Sequence, residues 1–306
     1  MAEGKTITSS PLKVACIRFM IKALAKLPLF ITRPIGRFSA FLTRTFKTRA
    51  YRISQTNIDI CLPELTDKEK DALINKSLCH TGVLFSEVAK IWCKPCIADW
   101  IDEVHGLEQV HKTLEQGSGV LFTGSHIGNW EVALFFLGQN FDFSCMYRPP
   151  RQLEMDHVIS KGRCKNTTNM VRGDVRGVLQ IIKCLRLGKV AALLSDQEPG
   201  RNAGVYAPFF GKEALTMTLV QKLHIKGNAQ LFQIAAIRNQ SGKFDIYLEP
   251  IVISTDLPEI DYAAQVNQSL EFMIKRFPEQ YQWAYKRFRT TEDGSLNVYL
   301  QHLQQE

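Results

Sequence analysis

From residue 119 onward the chain alternates two hydrophobic periods, and this alternation restricts its possible folds more than any other feature. Gly119-Val120-Leu121-Phe122-Thr123 is a short apolar run ended by Gly124, suited to a buried strand. Residues 129–139 then read as helix and residues 142–147 as extended chain. The next amphipathic helix sets Val175, Val178, Leu179, Ile182 and Leu185 on one face and closes at Gly188. Residues 190–194 form another buried strand, ending at Ser195-Asp196-Gln197. A helix over 217–226, strands over 231–237 and 244–251 about a Ser241-Gly242 turn, and a last helix carrying Tyr262, Val266, Leu270, Met273 and Phe277 complete the series. Strands alternating with helices predict an α/β fold: a layered αβα domain with a mostly parallel central sheet.

The first part of the chain is of another kind. Thr66-Asp67-Lys68-Glu69, after Pro63, reads as a capping box opening a helix whose pattern runs on through Leu84, Val88 and Ile91. Before it, residues 1–52 hold eleven basic side chains against one acid, Glu3. They therefore carry +10 of a total of +8, and the other 254 residues carry −2. Ile17, Met20, Ile21 and Leu24 recur at helical spacing, with Arg18, Lys22 and Lys26 as a basic row on another face. Pro28 and Pro34 are expected to interrupt the helix, and Phe38, Phe41, Leu42 and Phe46 mark a second amphipathic stretch. Basic amphipathic helices with bulky apolar faces lie in the interface of anionic membranes, and this density of Leu, Ile and Phe suits lipid better than nucleic acid. A helix packed on its own domain with solvated charges is the competing reading. No apolar stretch reaches the ~18–20 residues of a bilayer span. The partition is an amphipathic N-terminal helical arm over 1–52 and a single larger domain over 53–306, peripheral or monotopic at a membrane surface through the arm.

Eight scattered cysteines form no disulfide framework. Cys93-Lys94-Pro95-Cys96 is a CxxC without a thioredoxin-type strand before it or two further zinc ligands nearby, and no HExxH or clustered His/Asp set occurs, so neither a metal nor a cofactor is expected. The chemistry concentrates in Ser125-His126-Ile127-Gly128-Asn129-Trp130-Glu131, which follows the 119–123 strand at the end where α/β sheets bind ligands. With a turn at Gly128, His126 sits in the loop and Glu131 in the first helical turn. From there the carboxylate is expected to hold one imidazole nitrogen and leave the other as a base. A satisfied structural histidine is the plainer alternative.

SHIGNWE resembles the HX4(D/E) motif of the lysophospholipid acyltransferase superfamily, in the form typical of bacterial lipid A late acyltransferases, the lauroyl and myristoyl transferases. Tyr147-Arg148-Pro149, Gly162-Arg163, Asp196-Gln197-Glu198, Tyr206-Ala207-Pro208-Phe209-Phe210-Gly211 and Pro278-Glu279-Gln280-Tyr281-Gln282-Trp283 with Arg287-Phe288 are similar to further family motifs in the same order. Asn57-Ile58 with Cys61-Leu62-Pro63-Glu64 looks like its early motif, and the likeness covers about residues 50–290. Gln152-Leu153 stands where members often have Asn-Pro.

The resemblance implies an O-acyltransferase moving a fatty acyl group from an acyl carrier protein thioester to a hydroxyl of a lipid A precursor, with no cofactor. The site would be the cytoplasmic face of a bacterial inner membrane. His126 would be the general base, Glu131 its orienter, and Arg163, Asp196 and Arg148 the substrate-binding side chains. Backbone N–H groups near Gly128, or an arginine, would serve the oxyanion. Trp283 and Phe209-Phe210 would line an acyl channel or simply fill the core. A glycerophospholipid or phosphatidylinositol-mannoside acyltransferase using acyl-CoA is the second enzyme reading. A non-catalytic membrane-binding module is the third, and the intact His126–Glu131 pair argues against it.

Overall fold

The computed structural model of the chain describes residues 11–93, 96–149, 159–160, 162–163, 168–294 and 298–301. Lys94, Pro95 and the Gln152-Leu153 departure lie outside them, as do the first ten residues of the arm. The α/β expectation holds. A sheet of seven strands runs in the order β1 (Ile101–His105), β9 (Phe244–Pro250), β8 (Ala229–Arg238), β2 (Gly119–Gly124), β5 (Val190–Leu194), β3 (Phe143–Tyr147) and β4 (Asn169–Arg172). Every pairing is parallel except β8 with β9. The hairpin of β6 (Gly204–Phe209) and β7 (Lys212–Met217), turning at Phe210 and Gly211 with φ of 51° and 73°, stands apart from it.

Central strand β2 shows why the sheet needs cover on both faces. Val120 and Phe122 enter one core with Val132, Phe135 and Ile234, while Leu121 between them enters another with Ile181, Leu185 and Leu231. Successive side chains point to opposite faces, so a strand with no polar alternation is buried twice over. The first face is covered by α6 (Trp130–Asn140). The second is covered by α7 (Val175–Arg186), α8 (Leu219–Gly227) and part of α9 (Glu259–Arg276).

Two helical expectations are corrected. Val175 and Leu179 are not on the buried side of α7 but 78% and 62% exposed. The buried stripe is centred on Ile181 and Leu185. At 3.6 residues per turn Val175 and Leu179 stand about 120° and 160° around from Ile181. Pro34 does not interrupt a helix either. Pro28 separates α1 (Pro11–Lys26) from α2 (Leu29–Thr45), but Pro34 lies inside α2. It removes one backbone donor there, and packing of the helix offsets that loss.

That packing is against α4 (Asp67–Ile91), the helix opened by the expected capping box: Thr66 N–H donates to Glu69 Oε2 at 2.8 Å and Glu69 N–H to Thr66 Oγ1 at 3.4 Å. α2 turns its small residues Thr32, Gly36 and Ala40 inward and leaves Phe30, Phe38, Phe41 and Phe46 58–76% exposed. This inverts the usual amphipathic helix. Arg33 adds an ion pair to Glu87 of α4 at 2.9 Å. A Cβ on Gly82 would lie 2.2 Å from the Gly36 carbonyl oxygen, so the two backbones touch. Gly82→Ala should therefore cost about 1–3 kcal/mol through overpacking, read as a lowered unfolding midpoint. A rise in midpoint, as alanine brings to an exposed helix, would show that the two helices do not touch.

Candidate active site

The loop after β2 is fixed by backbone before any side chain is considered. Gly128 has φ of 57°, and a Cβ there would lie 1.9 Å from the Ala236 carbonyl oxygen. Only glycine fits both the conformation and the approach. Gly128 N–H donates to Gln280 O at 2.9 Å, Asn129 N–H to Ala236 O at 2.8 Å, and Gln282 N–H to His126 O at 2.9 Å. Residues 278–283 thus clamp the histidine loop, and they are clamped in turn. Asn57 Nδ2 of α3 (Arg49–Cys61) donates to the carbonyls of Trp283 and Tyr285, and Ser77 Oγ to that of Tyr281. Asn129 caps α6 and donates through Nδ2 to Glu87 at 3.0 Å.

His126 is brought to Asp196 rather than to Glu131. Its Nδ1 lies 2.8 Å from Asp196 Oδ1, and its backbone N–H donates to Asp196 Oδ2, also at 2.8 Å. Asp196, at the end of β5, is 2% exposed. Burial alone would raise its pKa. The charge of His126 and both hydrogen bonds, with Arg287 at longer range, hold it below the ordinary carboxylate value. Tyr281 behind it is pushed well up, by burial and then by that same carboxylate. An Asp196 carboxylate fixes the proton on Nδ1, so Nε2 carries the lone pair. Gln197 Nε2 sits 3.3 Å from it, and the Trp130 ring packs edge-on with its centroid 4.8 Å from that of the imidazole.

Glu131 has another partner set. It accepts from Arg163, Nε lying 3.1 and 3.0 Å from its two oxygens, with a further close Nη2 contact, and from Trp92 Nε1 at 2.9 Å. Both charges are largely out of water, with Glu131 4% exposed. Burial works against the Arg163 guanidinium, but Glu131 more than offsets it, and the pKa of the arginine is raised. The expected Glu131–His126 hydrogen bond is replaced because a fork of donors reaches the carboxylate first. The two residues are five positions apart, and the helix turns Glu131 away from the imidazole.

Arg163, Arg148, Gln197 and His126 all border one cavity of about 570 Å³, which continues among Leu134, Leu137, Met146, Leu194 and Met217. Arg148 lies exposed at its rim. The backbone N–H groups of Ile127, Gly128 and Asn129 are all spent on carbonyls, which leaves none of them for an oxyanion. Trp283 and Phe209, each 1% exposed, pack with Phe288 in a separate core and do not border this cavity. Gln197 and Trp92 were missed from the sequence. The Asp-Gln dipeptide was the available signal for the first, and nothing local marked the second.

Residues 9–290 match the sequence profile described as "Bacterial lipid A biosynthesis acyltransferase". The chain belongs to this family. It is 28% identical over 282 residues to the lipid A biosynthesis lauroyltransferase of Escherichia coli (strain K12), covering 90% of this chain and 91% of that one. Against the palmitoleoyltransferase of the same organism it is 26% identical over 280 residues, 90% of each chain, and against its myristoyltransferase 23% over 279 residues, 87% and 82%.

The geometry separates this member's two carboxylates by consequence. Glu131→Ala strands a buried guanidinium and should cost about 3–5 kcal/mol of stability, measured by urea unfolding. Loss of activity with unchanged stability would show instead that Glu131 acts on the histidine.

Proposed function

We propose that the chain transfers a fatty acyl group from an acyl carrier protein thioester to a hydroxyl of a lipid A precursor, a phosphorylated and acylated glucosamine disaccharide. The observation that carries this reading is the His126–Asp196 pair on a cavity that also presents Arg163, Arg148 and Gln197 and is otherwise lined mainly by apolar side chains. An acyl chain occupies the apolar part, which leaves its thioester carbonyl beside the imidazole. The acceptor hydroxyl gives its proton to Nε2 as its oxygen attacks the carbonyl carbon, and Asp196 stabilises the imidazolium that forms. The tetrahedral intermediate then expels the thiolate. The C–S bond breaks, His126 returns the proton to sulfur, and an ester and a free thiol result. No acyl-enzyme is required, because the acceptor is itself the nucleophile.

The Gln197 amide and the Arg163 guanidinium are the donors suited to the oxyanion and to anionic head-group oxygens, since the loop amides are already used. Arg148 at the rim suits a lipid phosphate. The Glu131–Arg163 pair positions that guanidinium at the cavity wall. The exposed aromatic face of α2, with exposed Lys22, Lys26 and Arg37 on the same N-terminal helices, suits the interface of an anionic membrane. No helix among the described residues is long and apolar enough to cross a bilayer. Attachment at the cytoplasmic face of the inner membrane is therefore proposed as peripheral or monotopic.

Purified protein given an acyl carrier protein thioester and a lipid A precursor should add one acyl mass to the precursor. His126→Ala should lose about 10²–10⁴ of that rate while staying folded at the assay temperature, with a lowered unfolding midpoint because buried Asp196 loses its imidazole partner. Near-full turnover in the folded variant would overturn the mechanism. Transfer to lysophosphatidic acid from acyl-CoA, with none to the glucosamine lipid, would establish the glycerophospholipid reading instead. Separately, Phe38→Glu with Phe41→Glu should release the protein from anionic vesicles in flotation. Retention of the variant would place the lipid contact elsewhere.

A further inference from the structure

Helix α7 shows water a face that is both apolar and cationic. Val175, Leu179 and Leu187 are 78%, 62% and 61% exposed, and Arg176, Lys183 and Arg186 lie exposed between them. At 3.6 residues per turn all six fall within about 120° on the side opposite Ile181. The packed neighbour α8 extends this face with Ile225, 43% exposed, and Lys226. Arg186 Nε joins the two helices by donating to the Lys226 carbonyl at 2.7 Å.

The sequences of α7 and α8 contain five lysines and arginines and no acid. Among the described residues, no carboxylate pairs with Arg176, Lys183 or Lys226. Asp174, at the head of α7, is occupied as its N-cap, accepting from Gly177 N–H at 2.9 Å. Gly173, just before that cap, borders the cavity that holds His126. The stripe thus begins at the cavity rim and runs about 18 Å away from it.

We propose that this face of α7, with the edge of α8, is the docking surface for an acidic acyl carrier protein. The inference rests on the thioester-donor reading above and adds the surface that recognises the donor. Charge favours it. A row of unpaired cations steers and orients an acidic partner, and the spaced aliphatic side chains supply the small dry contacts of a transient interface. Position favours it as well, because a carrier seated along α7 brings the thioester at the end of its prosthetic arm to the rim at Gly173. The face differs in chemistry from α2, where contiguous phenylalanines suit lipid.

The test uses the full chain carrying Arg176→Glu with Lys183→Glu, assayed with an acyl carrier protein thioester and, in parallel, with acyl-CoA. Carrier binding is measured by fluorescence anisotropy and anionic-vesicle binding by flotation. The expected result is a fall of about tenfold or more in kcat/KM for the carrier thioester. Carrier binding should weaken in step, vesicle binding and any turnover of acyl-CoA should be unchanged, and Arg176→Lys with Lys183→Arg should behave as the unaltered protein. Unchanged carrier binding and turnover would overturn the docking surface and leave the donor reading standing. Loss of vesicle binding with carrier binding intact would also overturn it, assigning the face to lipid. If the unaltered protein neither binds nor uses the carrier thioester, the donor reading itself fails, and this is seen before any variant is compared.

Discussion

The Glu87 carboxylate, wholly excluded from solvent near the C-terminal end of α4, is the point on which the other parts converge. It accepts from Arg33 of α2 at 2.9 Å, from Arg238 at the end of β8 at 2.7 Å and from Asn129 of the histidine loop at 3.0 Å. Arg33 goes on to donate to the Gly242 carbonyl, and Arg238 lies over the Phe244 ring at 4.8 Å. Two guanidinium groups face one carboxylate, so burial lowers the pKa of Arg238 even with Glu87 beside it. A buried ionic cluster of this kind contributes little net stability when intact, while removing one partner costs several kcal/mol. Its consequence is registry. The N-terminal helices, the sheet and the histidine loop share one acceptor, and a shift of any of them breaks a hydrogen bond to that buried carboxylate.

The site uses the same economy with opposite outcomes for its two carboxylates. Asp196 faces a single imidazole and is held ionised. Its folded pKa is depressed, so the stability it contributes is present above the ordinary carboxylate range and is lost as pH falls through the depressed value. Glu131 faces Arg163 and Trp92, and its charge is spent on fixing a guanidinium at the cavity wall. The imidazole has one carboxylate on Nδ1, which leaves its other nitrogen without a carboxylate partner, and the guanidinium has a different carboxylate that pins it at the cavity wall. The fold supplies one carboxylate for each.

What could be read from the sequence follows from the range of the forces involved. The strands over residues 119–124 and 190–194 announced themselves because a doubly covered parallel strand must be apolar throughout. The Thr66 capping box is local by nature and was equally legible. Strands β1 and β4 were not, because both lie at the sheet edges with mixed burial and leave no clear period. His126 and Asp196 each stood out in the sequence as candidate site residues. Their pairing did not, because parallel register of β2 beside β5 brings together positions seventy residues apart. The nearer carboxylate, Glu131, therefore looked like the partner. Trp92 and Glu87 had no local signature at all, since each acts only through contacts made at long sequence separation. Val175 and Leu179 misled for a different reason: periodicity reports that a face is apolar, not which neighbour covers it.

The same limit bears on the N-terminal helices. Their charge and apolar residues are those expected of a membrane-associating arm, and α2 leaves Phe30, Phe38 and Phe41 exposed. An arm that only tethered, however, would need no buried contact with the body. Here α2 lays its smallest residues against α4 at backbone contact and sends Arg33 to the carboxylate that also holds Asn129. Removing residues 1–46 would take away not just the exposed phenylalanines but one of the two cations neutralising Glu87, one hydrogen bond from the histidine loop. Loss of turnover in such a truncated protein is consequently no measure of membrane attachment. Substitutions confined to the outward phenylalanines leave that cluster intact and separate the two effects.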